Sequence, residues 1–210
     1  MKYEKLLSKL RPTLEHGSPI EECMDGTRQN ILGIISNWLA NADAPNILWL
    51  KGHPGLGKSA IAASVIEQLR ESKRLGSSFF FKREQAGAMT TNALWRTIAC
   101  DLARRYPSIR QHLVAVLEVD EDIPSITNMD KLFQQLIRGP LLKNGNMQVG
   151  RSPVIVIDAL DECGGIEGQS SPHRKSVIRT LKSWSELPRL IVAGGPNSIR
   201  LALTSTHCSS

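Results

Sequence analysis

Ile47-Leu48-Trp49-Leu50-Lys51-Gly52-His53-Pro54-Gly55-Leu56-Gly57-Lys58-Ser59-Ala60-Ile61-Ala62-Ala63-Ser64-Val65-Ile66 runs three signals together without a break. An apolar run of strand length, Ile47 to Leu50, leads into a loop that fits GxxxxGK[ST], and a segment with apolar residues at helical spacing follows from Ala60 to Leu69. Placement matters more than the string itself. A phosphate-binding loop works where a buried strand ends and a helix begins, because the helix N-terminus then aims unpaired NH groups and its dipole at the anion. A chance match is the competing reading in a chain with 16 Gly, and the two flanks decide against it.

The loop residues divide the work. Gly55 and Gly57 are expected at positive φ, where bare backbone can approach an anion that a side chain would obstruct. Lys58 is expected to reach the β and γ phosphates, and Ser59 to place its hydroxyl on Mg²⁺. The nucleotide-contacting stretch is therefore read as Gly52, His53, Pro54, Gly55, Leu56, Gly57, Lys58, Ser59 and the following Ala60.

Upstream, Asp25-Gly26-Thr27 marks a helix start, with Ile31, Ile34, Ile35, Trp38 and Leu39 as its apolar set. Residues 1–24 read as a polar lead and linker, with one short helix over Tyr3 to Leu10 that Pro12 closes. Downstream, Gly76 punctuates the helix after the loop and Ser77 to Phe81 reads as a strand. Two helical stripes follow, Leu94 to Leu102 and, past Pro107, Ile109 to Leu117, then a third over Met129 to Ile137. Asn144-Gly145-Asn146 breaks the pattern, and a Gly- and Ser-rich loop runs from Gly164 to Pro172. Val177, Ile178, Leu181 and Trp184 mark a last helix, and Leu190 to Ala193 a last strand. Strands separated by helices imply an α/β fold of three layers, a parallel sheet flanked by helices, with the ligand at the strand carboxyl ends.

Val154 to Ile157 is wholly apolar and β-branched, as a central parallel strand buried on both faces requires, and Asp158 closes it. A carboxylate at such a strand tip is costly unless it serves a cation. Here that cation is the Mg²⁺ already touched by Ser59, so Asp158 and Ser59 are read as its ligands. The chain continues Ala159-Leu160-Asp161-Glu162-Cys163. A small residue leaves room beside the phosphates, and Asp161 or Glu162 is placed to polarise an attacking water; a solvated acidic loop is the alternative.

Composition bounds the rest. With 210 residues and 41% hydrophobic content the chain can build one core of moderate size. The 26 basic residues against 20 acidic ones give +6, but they are scattered in groups such as Arg104, Arg105 and Arg110, or Arg174, Lys175, Arg179 and Lys182, which read as solvated helix faces. Phe79 to Phe81 suit a buried strand better than a base-stacking platform, so no specific nucleic-acid surface is expected. Cys23, Cys100, Cys163 and Cys208 lack CxxC pairing, and neither Cys163 with His173 nor His207 with Cys208 makes a metal site. There is no apolar stretch of membrane-spanning length and no secretion signal, which places the chain in the cytoplasm by default.

Cys23 with Gly26-Thr27-Arg28, the loop from Trp49 to Ser59, and Ile157-Asp158-Ala159-Leu160-Asp161-Glu162-Cys163 together resemble the NACHT-type NTPases of the STAND class, in the nephrocystin-like N-terminal version of fungal NLR-like proteins. The resemblance spans roughly Cys23 to the end. It implies a domain over 25–210 that binds ADP at rest, exchanges it for ATP with Mg²⁺, hydrolyses slowly and signals by self-association or through other domains of a longer protein. It also implies that Thr27 and Arg28 lie near the adenine. Two departures qualify this. Where the family shows Ser-Arg-Pro after the fourth core strand, this chain has Gly194-Gly195-Pro196, with Arg200 the nearest substitute, so a non-hydrolysing, nucleotide-dependent interaction module is the alternative. The chain also stops where relatives continue into a winged helix and repeats, which reads as a C-terminal truncation.

Overall fold

In the computed structural model, residues 2–10, 23–24, 26–82, 91–143, 152–163, 171–184 and 187–195 are described. The loop residues 164–170, the Asn144-Gly145-Asn146 break, Pro12, Asp25, Pro196, Arg200, His207 and Cys208 lie outside them.

The apolar runs become strands because only a sheet interior buries them on both faces. β1 (Ile47–Lys51), β2 (Leu75–Phe80), β3 (Val154–Asp158) and β4 (Leu190–Gly194) form one sheet in the order β1-β4-β3-β2, every pairing parallel. All five residues of β3 and of β4 are buried. Their side chains alternate between layers: Ile155, Ile157, Leu190 and Val192 face one helical layer, Val154, Val156 and Ile191 the other. The three-layer α/β architecture with a parallel sheet is thus the one the sequence implies.

One layer holds α2 (Gln29–Ala40) and α3 (Lys58–Glu71). Their shared core joins Leu32, Ile35 and Leu39 to Ile61, Ala62, Val65, Ile66 and Leu69. The expected apolar set of α2 is corrected here: Ile31 and Ile34 are 40% and 63% exposed. That helix is apolar almost all round, and the face at 32, 35 and 39 is the one turned to α3, so periodicity alone left the rotation open.

The opposite layer holds α4 (Thr91–Arg105), α5 (Pro107–Val119), α6 (Met129–Phe133), a π-helical turn over Gln134–Arg138, α7 (Gly139–Lys143) and α8 (Pro172–Lys182). Pro107 starts α5 at its first turn, where its missing NH costs nothing. Trp95, Phe133 and Trp184 form an aromatic cluster with ring centroids 4.9 to 6.2 Å apart. The expected lead helix exists as α1 (Lys2–Ser8) and packs on α5, with Leu10 fully buried in the same core.

Two further corrections concern punctuation and charge. Gly76 lies inside β2 rather than ending α3; a Cβ there would stand 2.8 Å from Pro153 Cβ, so the glycine permits a close strand approach. Arg174, grouped with solvated residues by its neighbours in sequence, is 3% exposed.

Candidate nucleotide site

Strand order places the candidate site. β4 lies between the strand that ends in the glycine-rich loop and the strand that ends in Asp158, with Lys51 in register with Gly194 and Ile157 with Val192. Neighbouring strands are about 4.8 Å apart, so the two motifs stand about 10 Å apart across β4 at the same carboxyl edge. The first turn of α3 closes this gap.

In the loop, Gly55 and Gly57 have φ of 82° and 72°, the left-handed backbone that glycine adopts without strain. Gly57 is the residue that precedes α3, and its carbonyl accepts from Ile61 N at 3.0 Å to start the helix. Lys58 Nζ folds back over the loop and donates to the carbonyls of Gly52 at 2.9 Å and His53 at 3.1 Å. His53, Pro54, Gly55 and Leu56 are exposed, whereas Gly52, Ser59 and Ala60 are half-buried.

Asp158 is 1% exposed. Burial pushes its carboxyl above the usual carboxylate range, with repulsion from Asp161 adding to it; a hydrogen bond from the Ser59 hydroxyl, one from the Ala159 backbone NH and the charge of Lys58 act in the opposite direction. Asp158 Oδ1 is sealed from solvent without a hydrogen-bond partner. An orphaned buried carboxylate oxygen, beside a hydroxyl and near a lysine, fits a hard divalent cation. Among the described residues no cluster of three His, Cys, Asp or Glu could cage a metal unaided.

After Asp158 the chain turns sharply. Ala159 has φ of 54°, which a small residue tolerates better than a branched one, and Leu160–Glu162 form a 3₁₀ turn anchored by the fully buried Leu160. Asp161 and Glu162 are half-buried on it. A Cβ built on Gly195, just past β4, would stand 3.3 Å from Asp161 Oδ2. The position that departs from the expected Ser-Arg-Pro pattern is therefore in contact with the acidic turn. Cys163 is inert: burial pushes its thiol up to about 12.

Thr27 and Arg28 lie before α2. Thr27 Oγ1 donates to Met24 O at 2.6 Å and closes a local turn. Arg28 has φ of 57°, and its Nη1 donates to Gly57 O at 3.0 Å. Thr27 makes its hydrogen bonds to Met24 and none to the loop, whereas Arg28 sits directly on it. Sequence reasoning missed Arg189, 4% exposed at the foot of β4. It donates to the carbonyls of Asn41, Ala42, Ala44 and Pro45 and lies 4.8 Å from the Trp38 ring, fixing the connection from α2 into β1.

Residues 26–205 match the family described as nephrocystin 3, N-terminal. Among curated proteins, vegetative incompatibility protein HET-E-1 of Podospora anserina is 25% identical over 130 residues, a stretch covering 59% of this chain and 9% of that protein. No solved structure matches the chain. Among the described residues no helix is long and apolar enough to cross a membrane.

Proposed function

The chain belongs to the nephrocystin 3 N-terminal family, the NACHT-type version found in fungal NLR-like proteins, and from that premise we propose that it binds ADP and ATP at Gly52–Ser59 and hydrolyses ATP slowly as the core of a signalling switch. The observation that carries the reading is the buried Asp158 carboxylate, its Oδ1 without a partner, at the strand edge that also carries the glycine-rich loop and the N-terminus of α3. In this reading the loop NH groups and the first turn of α3 receive the phosphates, Ala60 included. Lys58 leaves the carbonyls of Gly52 and His53 for the β and γ phosphates. Ser59 and Asp158 would hold Mg²⁺, whose charge would offset that developing on the phosphoryl oxygens. Asp161 or Glu162 orients the attacking water, and the Thr27–Arg28 segment borders the nucleotide. Within a longer protein, as HET-E-1 is, this core would relay nucleotide state to other domains or to further copies.

Fluorescent ADP, ATP and GTP titrated with and without Mg²⁺ test the proposal. Wild type is expected to bind adenine nucleotides more tightly with Mg²⁺; Lys58→Ala should lose at least tenfold, and Asp158→Asn should abolish the Mg²⁺ effect. Equal binding by all three proteins would overturn it.

Gly195 against Asp161 favours a second reading, a module that binds nucleotide without hydrolysing it, because no arginine stands at that position to stabilise the transferring phosphoryl group. Phosphate release by wild type that disappears in Glu162→Gln or Asp161→Asn would exclude this version.

A further inference from the structure

Gly57 is crowded in an unexpected way. A Cβ built on it would stand 1.9 Å from Arg28 Nη1, 2.2 Å from Nη2 and 2.3 Å from Cζ. The forked end of the guanidinium thus occupies the space that any side chain at 57 would take. From there Nη1 donates to Gly57 O at 3.0 Å and to Cys23 Sγ at 3.8 Å. The carbonyl it holds is the one that starts α3, so the orientation of the peptide joining Gly57 to Lys58 is fixed from outside the loop.

We propose that Arg28 is a positioning residue for the glycine-rich loop: its forked end fills the space beside Gly57 and holds that carbonyl, so that the following NH groups stay aimed at the phosphate position. The proposal rests on the nucleotide-binding reading for its consequence, though not for its geometry. Three observations carry it. First, the position is prepared by the backbone: Arg28 takes a left-handed φ of 57° at the entry to α2, a conformation uncommon for a long side chain. Second, a cation at the N-terminal end of α3 opposes the helix dipole, so its placement is explained by what it holds and by an anion to come. Third, Cys23 N donates to Ser64 Oγ at 3.0 Å, which ties the segment carrying Arg28 to α3 and keeps the arginine from swinging away.

The test compares wild type with Arg28→Ala and Arg28→Lys by hydrogen exchange over residues 52–61 without nucleotide, and by fluorescent ADP affinity. A forked end that fills this space plus a fixed hydrogen bond predicts that both variants exchange faster in this loop and bind ADP three- to tenfold more weakly, because lysine keeps the charge but not the fork. If Arg28→Lys behaves as wild type, charge alone suffices and the proposal is overturned; if Arg28→Ala leaves loop exchange unchanged, it is overturned as well. Should wild type bind no nucleotide, the parent reading fails while the exchange result still decides this one. Gly57→Ala gives an independent readout through thermal unfolding, since it must evict the guanidinium. Its drop in Tm should be smaller in the Arg28→Ala background, where only the strain at φ of 72° remains; equal drops in both backgrounds would sink the idea.

Discussion

Asp158 concentrates the electrostatics of the molecule in one carboxyl group. Buried and with Oδ1 unpartnered, it is held above the normal carboxylate range chiefly by desolvation. A carboxyl whose folded pKa exceeds its unfolded value binds its proton more tightly in the fold, so its contribution to stability is greatest at acid pH and is lost as pH rises through that pKa. Without metal, Asp158→Asn should therefore melt higher than wild type near neutral pH, and the gap should close on acidification; a melting series in chelator checks it. Mg²⁺ needs the ionised form, so Mg²⁺-dependent nucleotide affinity should fall on acidification at a higher pH than an ordinary aspartate would dictate. That run of β-branched residues capped by an acid was readable in sequence, because burial on both faces leaves a distinctive composition. The tightness of Arg28 on Gly57 was not, since the residues are 29 apart in sequence and only the fold sets their approach.

Among elements, those flanking the loop were legible because strand, turn and helix signals each arise from neighbouring residues. What escaped were long-range contacts: the rotation of α2, the burial of Arg174 and the role of Arg189. Arg189 donates to four carbonyls in the link between α2 and β1. Arg189→Met should remove a charged donor shared by these carbonyls and cost roughly 1–3 kcal/mol, measurable by urea unfolding. In the other layer, Trp184 stacks on Trp95 and donates from Nε1 to Pro188 O at 2.6 Å, joining the end of α8 to the approach of β4. Trp184→Ala should cost about 3–5 kcal/mol, with loss of cooperative unfolding as its signature.

For the molecule as a whole, the order β1-β4-β3-β2 sets protection unevenly. β3 and β4 are sealed throughout, whereas β1 has no fully buried residue and, among the described strands, pairs on one side alone. Amide exchange should accordingly be slowest in Val154–Ile157 and Leu190–Ala193, and fastest among the strands in Ile47–Lys51. The ribbon that delivers the glycine-rich loop is thus the first to fray. A ligand seated on that loop would tighten the weakest seam of the sheet, and occupancy would register as resistance to melting well beyond the few atoms it touches.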